Sequence, residues 1–254
     1  MQKHYDACGF IGNWPFRKLH KGKLSDLMAV HMENSISGGL VGCLDSVFFN
    51  DPYEGDEECA AMLKGSPYLF AGTVNPTLPG AEEDLYKYKN KLGAAAIRLY
   101  PSDHSYSCDD SRVISLCRLA GKLGLRVVIT VRTEDIRLDY LFKQTGVSIP
   151  AIMQLCESCP DTKFLISNIY IGEVFSVSGQ INSLPNVWVD MSRFNHLLFT
   201  ADKAVEQIKP EKLVFGSCFP LLSLKCMLLN IETSLLSDDI KDMMLGGNFE
   251  DFIK

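Results

Sequence analysis

Long apolar runs are missing from this sequence. Stretches free of Asp, Glu, Lys and Arg, such as 65–81, are broken by prolines and polar residues, and none approaches the roughly 20 apolar residues that span a bilayer. A membrane-embedded chain is therefore excluded. Basic runs are missing as well: 25 Lys and Arg are scattered among 31 Asp and Glu, for a net charge of −6, so no stripe can track a phosphate backbone and nucleic acid is not an expected partner. The opening Met1-Gln2-Lys3-His4-Tyr5-Asp6 has no apolar core behind its basic residue, so it does not read as a secretory signal, and a cytoplasmic location is expected. Nine cysteines, an odd number, show no regular framework, which fits reduced thiols better than a disulfide scaffold. The one CxxC, Cys156-Glu157-Ser158-Cys159, has neither a second pair nor a histidine pair beside it and is read as a helix-end coincidence. No GxGxxG follows an early strand, which weakens a dinucleotide-binding sheet. No GxSxG surrounds Ser192 or Ser217, and neither serine has a visible histidine base.

What is present is a chain of 254 residues, 46% of them hydrophobic, ample for a large buried core. Short β-rich apolar runs alternate with helical-period segments throughout, with no low-complexity linker. Strands are expected at 5–11, 40–49, 68–75, 94–100, 126–132, 163–169, 186–192 and 212–218, and helices at 23–34, 81–92, 112–123, 201–208 and 221–232. Parallel strands need such crossovers. Eight strand and helix units over residues 1–254 define the expected fold class, α/β, as a single (β/α)8 TIM barrel, with an open doubly wound sheet as its competitor.

In a barrel, function gathers where inward residues open onto the C-terminal mouth. Counting by twos places Asp6, Cys8 and Phe10 inward on the first strand, and Arg98 and Tyr100 on the fourth. Thr130 and Arg132 follow on the fifth, Asn168 on the sixth, Asp190 and Ser192 on the seventh, and Cys218 on the eighth. A one-residue slip inverts any such assignment.

Several segments, in this order, resemble the amidohydrolase superfamily, specifically its amidohydrolase-related branch of metal-dependent TIM-barrel hydrolases and decarboxylases. They are Asp6-Ala7-Cys8-Gly9-Phe10-Ile11-Gly12 with Trp14-Pro15-Phe16, then Gly72-Thr73-Val74-Asn75-Pro76, then Leu92-Gly93-Ala94-Ala95-Ala96-Ile97-Arg98-Leu99-Tyr100-Pro101. Phe215-Gly216-Ser217-Cys218-Phe219-Pro220 and Leu245-Gly246-Gly247-Asn248-Phe249-Glu250-Asp251-Phe252 complete the set. The resemblance implies a mouth where a His-x-His pair, two further histidines and an aspartate hold one or two divalent metals that activate water. Those positions fall here on Cys8, Phe10, Thr130, Asn168 and Cys218, so every expected ligand is replaced. None of His4, His20, His31, His104 and His196 sits at a motif position.

The leading expectation is thus an amidohydrolase-like barrel that has lost metal-dependent hydrolysis, a pseudoenzyme. It would carry no metal cofactor, and would bind a small anionic ligand through Arg98, Arg132, Asn168 and Ser192 or serve a regulatory or structural role. Arginine in a barrel mouth must find a partner or a ligand, and an Arg98 ion pair with Asp6 or Asp190 is the structural expectation. The competing reading is a hydrolase or lyase acting on a small carboxylate. It would use Arg98, Arg132 and Asp190 without a metal, or hold one zinc through Cys8 and Cys218. Trp14, Phe16 and Phe219 are candidates for an aromatic lid. Assembly into a homo-oligomer stays open.

Overall fold

The first strand, β1 (His4–Ile11), begins a parallel sheet that runs in chain order to the eighth strand. The computed structural model describes residues 3–138, 140, 144–194 and 199–254. After β1 come α1 (Leu24–Glu33), β2 (Ile36–Cys43), α2 (Pro52–Leu63), β3 (Tyr68–Thr73), α3 (Ala81–Asn90), β4 (Ala96–Leu99) and α4 (Ser111–Lys122). The second half holds β5 (Arg126–Thr130), α5 (Ile149–Ser158), β6 (Phe164–Ser167), α6 (Ile171–Ser176), α7 (Ser178–Ser183), β7 (Val187–Asp190), α8 (Thr200–Val205) and β8 (Leu213–Val214). Helices α9 (Leu224–Glu232), α10 (Asp238–Asp242) and α11 (Asn248–Ile253) end the chain. This is the (β/α)8 TIM barrel that the alternation of strands and helices predicts.

Local chemistry sets the crossovers. At α4, Asp110 accepts from the Arg112 amide as N-cap, and Val113, Leu116, Cys117 and Ala120 bury one face at helical spacing. Gly124, at φ +68°, follows the helix end with the left-handed turn that a side chain would strain. Asp51 caps α2 in the same way, ahead of Pro52 in the first turn.

Inside the barrel each strand gives one residue to a lower layer: Ala7, Leu40, Ala71, Ala96, Val128, Leu165, Trp188 and Val214. Phe249 and Phe252 of α11 pack against them, so the terminal helix closes the bottom of the barrel. Between β1 and β2 the register slips: Asp6 pairs with Gly39 but Gly9 with Val41, one residue more on β1. This bulge turns Ala7 and Cys8 both inward and leaves Asp6 facing α1. Strict alternation on β1 therefore fails at Asp6. On the neighbouring strand, a Cβ on Gly39 would strike the Asp6 backbone, so the close approach of β1 and β2 requires glycine there.

Two expected strands differ in extent. The run 40–49 is a strand only to Cys43, because Asp45–Phe48 forms a 3-10 turn. The last expected strand, 212–218, pairs as a strand only at Leu213–Val214. Beyond it the chain meets β1 through an isolated bridge, Gly9 to Phe219, and three backbone bonds. These are Ala7 N to Phe215 O (2.9 Å), Phe10 N to Phe219 O (2.8 Å) and Cys218 N to Cys8 O (2.7 Å). The first and last strands are thus neighbours, as barrel closure demands.

Candidate functional site

Above the lower layer, the inward side chains turn polar. Arg98 from β4 lies fully buried across the barrel, with Nη1 3.1 Å from Thr130 Oγ1 and 3.7 Å from Cys8 Sγ. Its guanidinium carbon sits 4.6 Å from the centre of the Phe10 ring. Nε and Nη2 have no hydrogen-bond partner. Gly42 of β2 faces that edge: a Cβ there would stand 3.4 Å from Nε and 3.5 Å from the Phe10 ring.

No ion pair joins Arg98 to either expected carboxylate among the described residues. Asp6 is turned outward by the bulge, where His31 Nε2 donates to its Oδ2 (3.1 Å), Ser217 Oγ donates to the same oxygen (2.5 Å) and the Cys8 amide donates to Oδ1 (3.0 Å). The Tyr68 hydroxyl lies 3.1 Å from His31 Nδ1. Burial acts to raise the Asp6 carboxyl, but His31 and Ser217 outweigh it and hold the group below its ordinary value. Asp190 accepts from the Ser167 hydroxyl and from the Ser192 amide (2.7 Å). Burial pushes its carboxyl up, against the serine bonds and the more distant Arg98 charge.

The remaining mouth residues are also buried. Cys8 and Cys218 share one buried cluster on the two sides of the closing seam; burial pushes the Cys8 thiol up, while the neighbouring Cys8 brings Cys218 down against its burial. Ser167 Oγ lies 3.2 Å from Cys8 Sγ, and Ser192 Oγ donates to Asn168 Oδ1 (2.6 Å). Asn168 Nδ2, the Tyr100 hydroxyl, Thr73 Oγ1 and Trp14 Nε1 lack partners. Asn168 and Cys218 sit at φ +58° and +53°. Such strained backbone concentrates at functional sites, and it is the left-handed turn that swings Asn168 inward beside Ser167. Gly216 keeps the seam tight, since a Cβ there would lie 3.0 Å from both Asp190 Cγ and Cys8 Cβ.

Arg132 meets this centre at its edge, where Nη1 donates to the Asn168 carbonyl (3.3 Å). Its fork grips Glu173 of α6 with bonds of 2.6 and 2.7 Å and stacks 4.1 Å over the Tyr170 ring. Above the mouth, Trp14, Phe16 and Phe48 form an aromatic cap with ring centres 5.3–5.5 Å apart. Leu221 and Tyr100 pack beneath it with Cys8, Phe10 and Cys218, and Phe219 is buried in the main core. His104 is held by the Val47 carbonyl (2.7 Å) and kept below its ordinary value by burial, while His196 lies outside the described residues. Cys156 and Cys159 are buried free thiols. Ser167, Gly42 and Glu173 had no motif to announce them. Strand parity alone could have found Ser167, two residues beyond Leu165.

Fold and mouth together define an α/β barrel with a closed polar centre at the C-terminal ends of its strands. No family model matches this chain, and no curated protein matches it in sequence. Solved structures do match its shape. A 2,6-dihydroxybenzoate decarboxylase complexed with 2,6-dihydroxybenzoate superposes with a TM-score of 0.78 at 12% identity, covering 100% of this chain and 99% of that one. A dihydroxybenzoic acid decarboxylase from Polaromonas sp. JS666, with bound manganese and the inhibitor 2-nitroresorcinol, gives 0.75 at 12%, with coverage of 100% and 97%. An amidohydrolase II gives 0.74 at 14%, covering 99% of each chain. The resemblance to the amidohydrolase superfamily therefore holds as a likeness of fold.

The expectation of no metal cofactor is corrected by these structures. Decarboxylases of this fold were determined with manganese bound, so the architecture gives no ground for expecting a metal to be absent. The side chains of this chain, however, do not fit that ion as a hydrolase mouth would. Two thiols, a phenyl ring, a hydroxyl and an amide stand at the five positions, with a guanidinium beside them. Among the described residues no three His, Cys, Asp or Glu side chains are grouped to hold a metal. Cys8 and Cys218 offer two thiols, fewer than the three or four protein ligands of zinc sites.

Proposed function

We propose that this chain binds a small carboxylate at the closed barrel mouth, with Arg98 as the anchor. We also propose that it does not run the hydrolysis of a barrel whose mouth carries four histidines and an aspartate. The observation that supports the first reading is the free Nε–Nη2 edge of Arg98. Arg112 and Arg137 of the same chain use that edge to grip Asp110 and Asp135 through paired bonds of 2.6–3.1 Å, and a side-on fork matches a carboxylate in both spacing and charge. A buried cation without such a partner is costly, and the unpartnered donors nearby, Asn168 Nδ2 and the Tyr100 hydroxyl, favour the same charge. Burial of the whole centre favours a ligand of formate or acetate size. The aromatic carboxylate held by a neighbour of this fold would need Phe10 and the Trp14 cap to move. The replacement of all five ligand positions supports the second.

Calorimetric titration with formate, acetate and 2,6-dihydroxybenzoate tests the anchor. Saturable binding is expected for at least one of them, lost in Arg98→Met and weakened in Gly42→Ala, which crowds the same edge. Equal heats from parent and Arg98→Met would refute it.

A second reading keeps the carboxylate and adds chemistry, favoured by the raised, inward-facing carboxyl of Asp190. The bond from ligand carbon to carboxylate would break, carbon dioxide would leave, and Asp190 would return its proton to the carbon. Release of labelled carbon dioxide that disappears in Asp190→Asn distinguishes this from binding alone.

A further inference from the structure

Arg98 stands between two strands that each end in a threonine. Thr130 of β5 accepts from Nη1 (3.1 Å), the one nitrogen outside the free Nε–Nη2 edge. Thr73 ends β3 and is the register partner of Arg98 in the ladder between β3 and β4. Partners in such a ladder share a face, and Ala71, two residues earlier, already points into the lower layer of the barrel. Thr73 therefore turns inward beside the guanidinium. Strand β3 also lies between β4 and β2, so the edge that faces Gly42 of β2 faces the strand that carries Thr73. One group of Thr73 is left over. Its amide donates to Asp56 Oδ2 (2.5 Å) and its carbonyl accepts from the Tyr88 hydroxyl (2.7 Å), which holds the backbone in place. Oγ1, in a residue only 1% exposed, has no partner among the described residues. A buried hydroxyl left that way is costly. The Tyr100 hydroxyl, two residues beyond Arg98 and packed inward with Cys8 and Phe10, is unpartnered as well.

We infer that the carboxylate held by Arg98 carries a hydroxyl on the adjacent carbon, and that Thr73 selects it; the inference rests on Arg98 as the carboxylate anchor. A 2-hydroxy acid sets its hydroxyl one carbon from the carboxylate, and neighbouring strands are about 4.8 Å apart, so a ligand gripped by Arg98 presents that hydroxyl within reach of Thr73. A hydroxyl both donates and accepts, as Thr73 Oγ1 and the Tyr100 hydroxyl do, and the three can close a set of bonds that none of them makes alone. A 2-amino acid fits less well. Its ammonium would stand beside a guanidinium bonded only to a threonine hydroxyl and a thiol among the described residues, with no bonded carboxylate to offset a second positive charge. Glycolate, one oxygen larger than acetate, is the smallest ligand with the required groups.

Calorimetric titration of the full chain with glycolate, acetate and glycine tests the assignment. Glycolate is expected to bind the parent about tenfold more tightly than acetate, the worth of one buried hydrogen bond, and glycine more weakly than either. The glycolate-to-acetate ratio is expected to fall to about one in Thr73→Val and to return in Thr73→Ser, which restores the hydroxyl. Equal affinities of the parent for glycolate and acetate, the result a bound water at Thr73 would give, overturn the assignment while leaving the anchor standing. So does a preference that survives Thr73→Val, or glycine binding as tightly as glycolate. A parent that binds neither acid overturns the anchor and this assignment together. Because the three ligands are compared on the parent chain, a variant that fails to fold leaves the test intact.

Discussion

Arg98 was legible as an inward residue from the alternation of β4, but its isolation was not. The expected carboxylate partner Asp6 lies one bulge away from the face that counting by twos assigns, and α1 supplies His31 to take it. That difference reverses a stability expectation. An ion pair broken on one side would cost about 3–5 kcal/mol. A buried guanidinium without a carboxylate instead loses little when its charge is removed. Arg98→Met is expected to unfold at the same or a higher urea concentration than the parent in buffer without small carboxylates, and to lose the parent's stabilisation by added ligand. A loss of several kcal/mol in ligand-free buffer would reveal a counter-charge that the geometry does not contain. Asn168 and Cys218 were legible only through the positions they occupy in the resemblance. Their left-handed backbone carries no sequence mark, because neither is the glycine such a turn ordinarily selects.

Helix α2 is tied to its neighbours by one carboxyl group. Asp56 Oδ2 accepts from the Thr73 amide at the end of β3 (2.5 Å) and from the Tyr88 hydroxyl of α3 (2.8 Å). Burial raises this carboxyl to about 8, against those bonds. The unfolded chain gives up the proton near the ordinary carboxylate value of about 4, so the stability that Asp56 contributes is full below that value and declines as pH rises toward 8. Unfolding free energies of the parent and Asp56→Asn, measured by urea titration from pH 4 to pH 8, are expected to converge or cross in favour of the variant. The change can reach about 1.4 kcal/mol per pH unit, and parallel curves would show that the carboxyl ionises in the fold as it does in water. Apolar alternation announced the order of such elements better than their ends. The run 40–49 joins a strand to a 3-10 turn at Asp45-Ser46, a polar pair with apolar residues on both sides, and β2 begins four residues earlier, where Gly38 and Gly39 hide the β pattern.

At the scale of the whole molecule, eight repeating units were readable because each strand needs a returning helix. The closing Asn248–Phe252 segment was readable as a family-like stretch but not as the barrel's floor, since nothing local shows that Phe249 and Phe252 enter the interior. The way the barrel is joined was equally hidden. Most of its circumference is laddered, with six paired positions between β1 and β2 and four between β4 and β5, whereas the segment after β8 meets β1 through one isolated bridge and three backbone bonds. In hydrogen exchange this makes the seam the first part of the wall to breathe: the amides of Ala7, Phe10 and Cys218 should exchange sooner than those of Val127 and Val128 across the barrel. Cys8 and Cys218 stand on the two sides of that seam, with Arg98 bonded to Cys8. A carboxylate that settles on Arg98 should therefore slow exchange at the seam while leaving β5 unchanged. The least regular pairing in the barrel then becomes the door through which its enclosed charge meets the solvent.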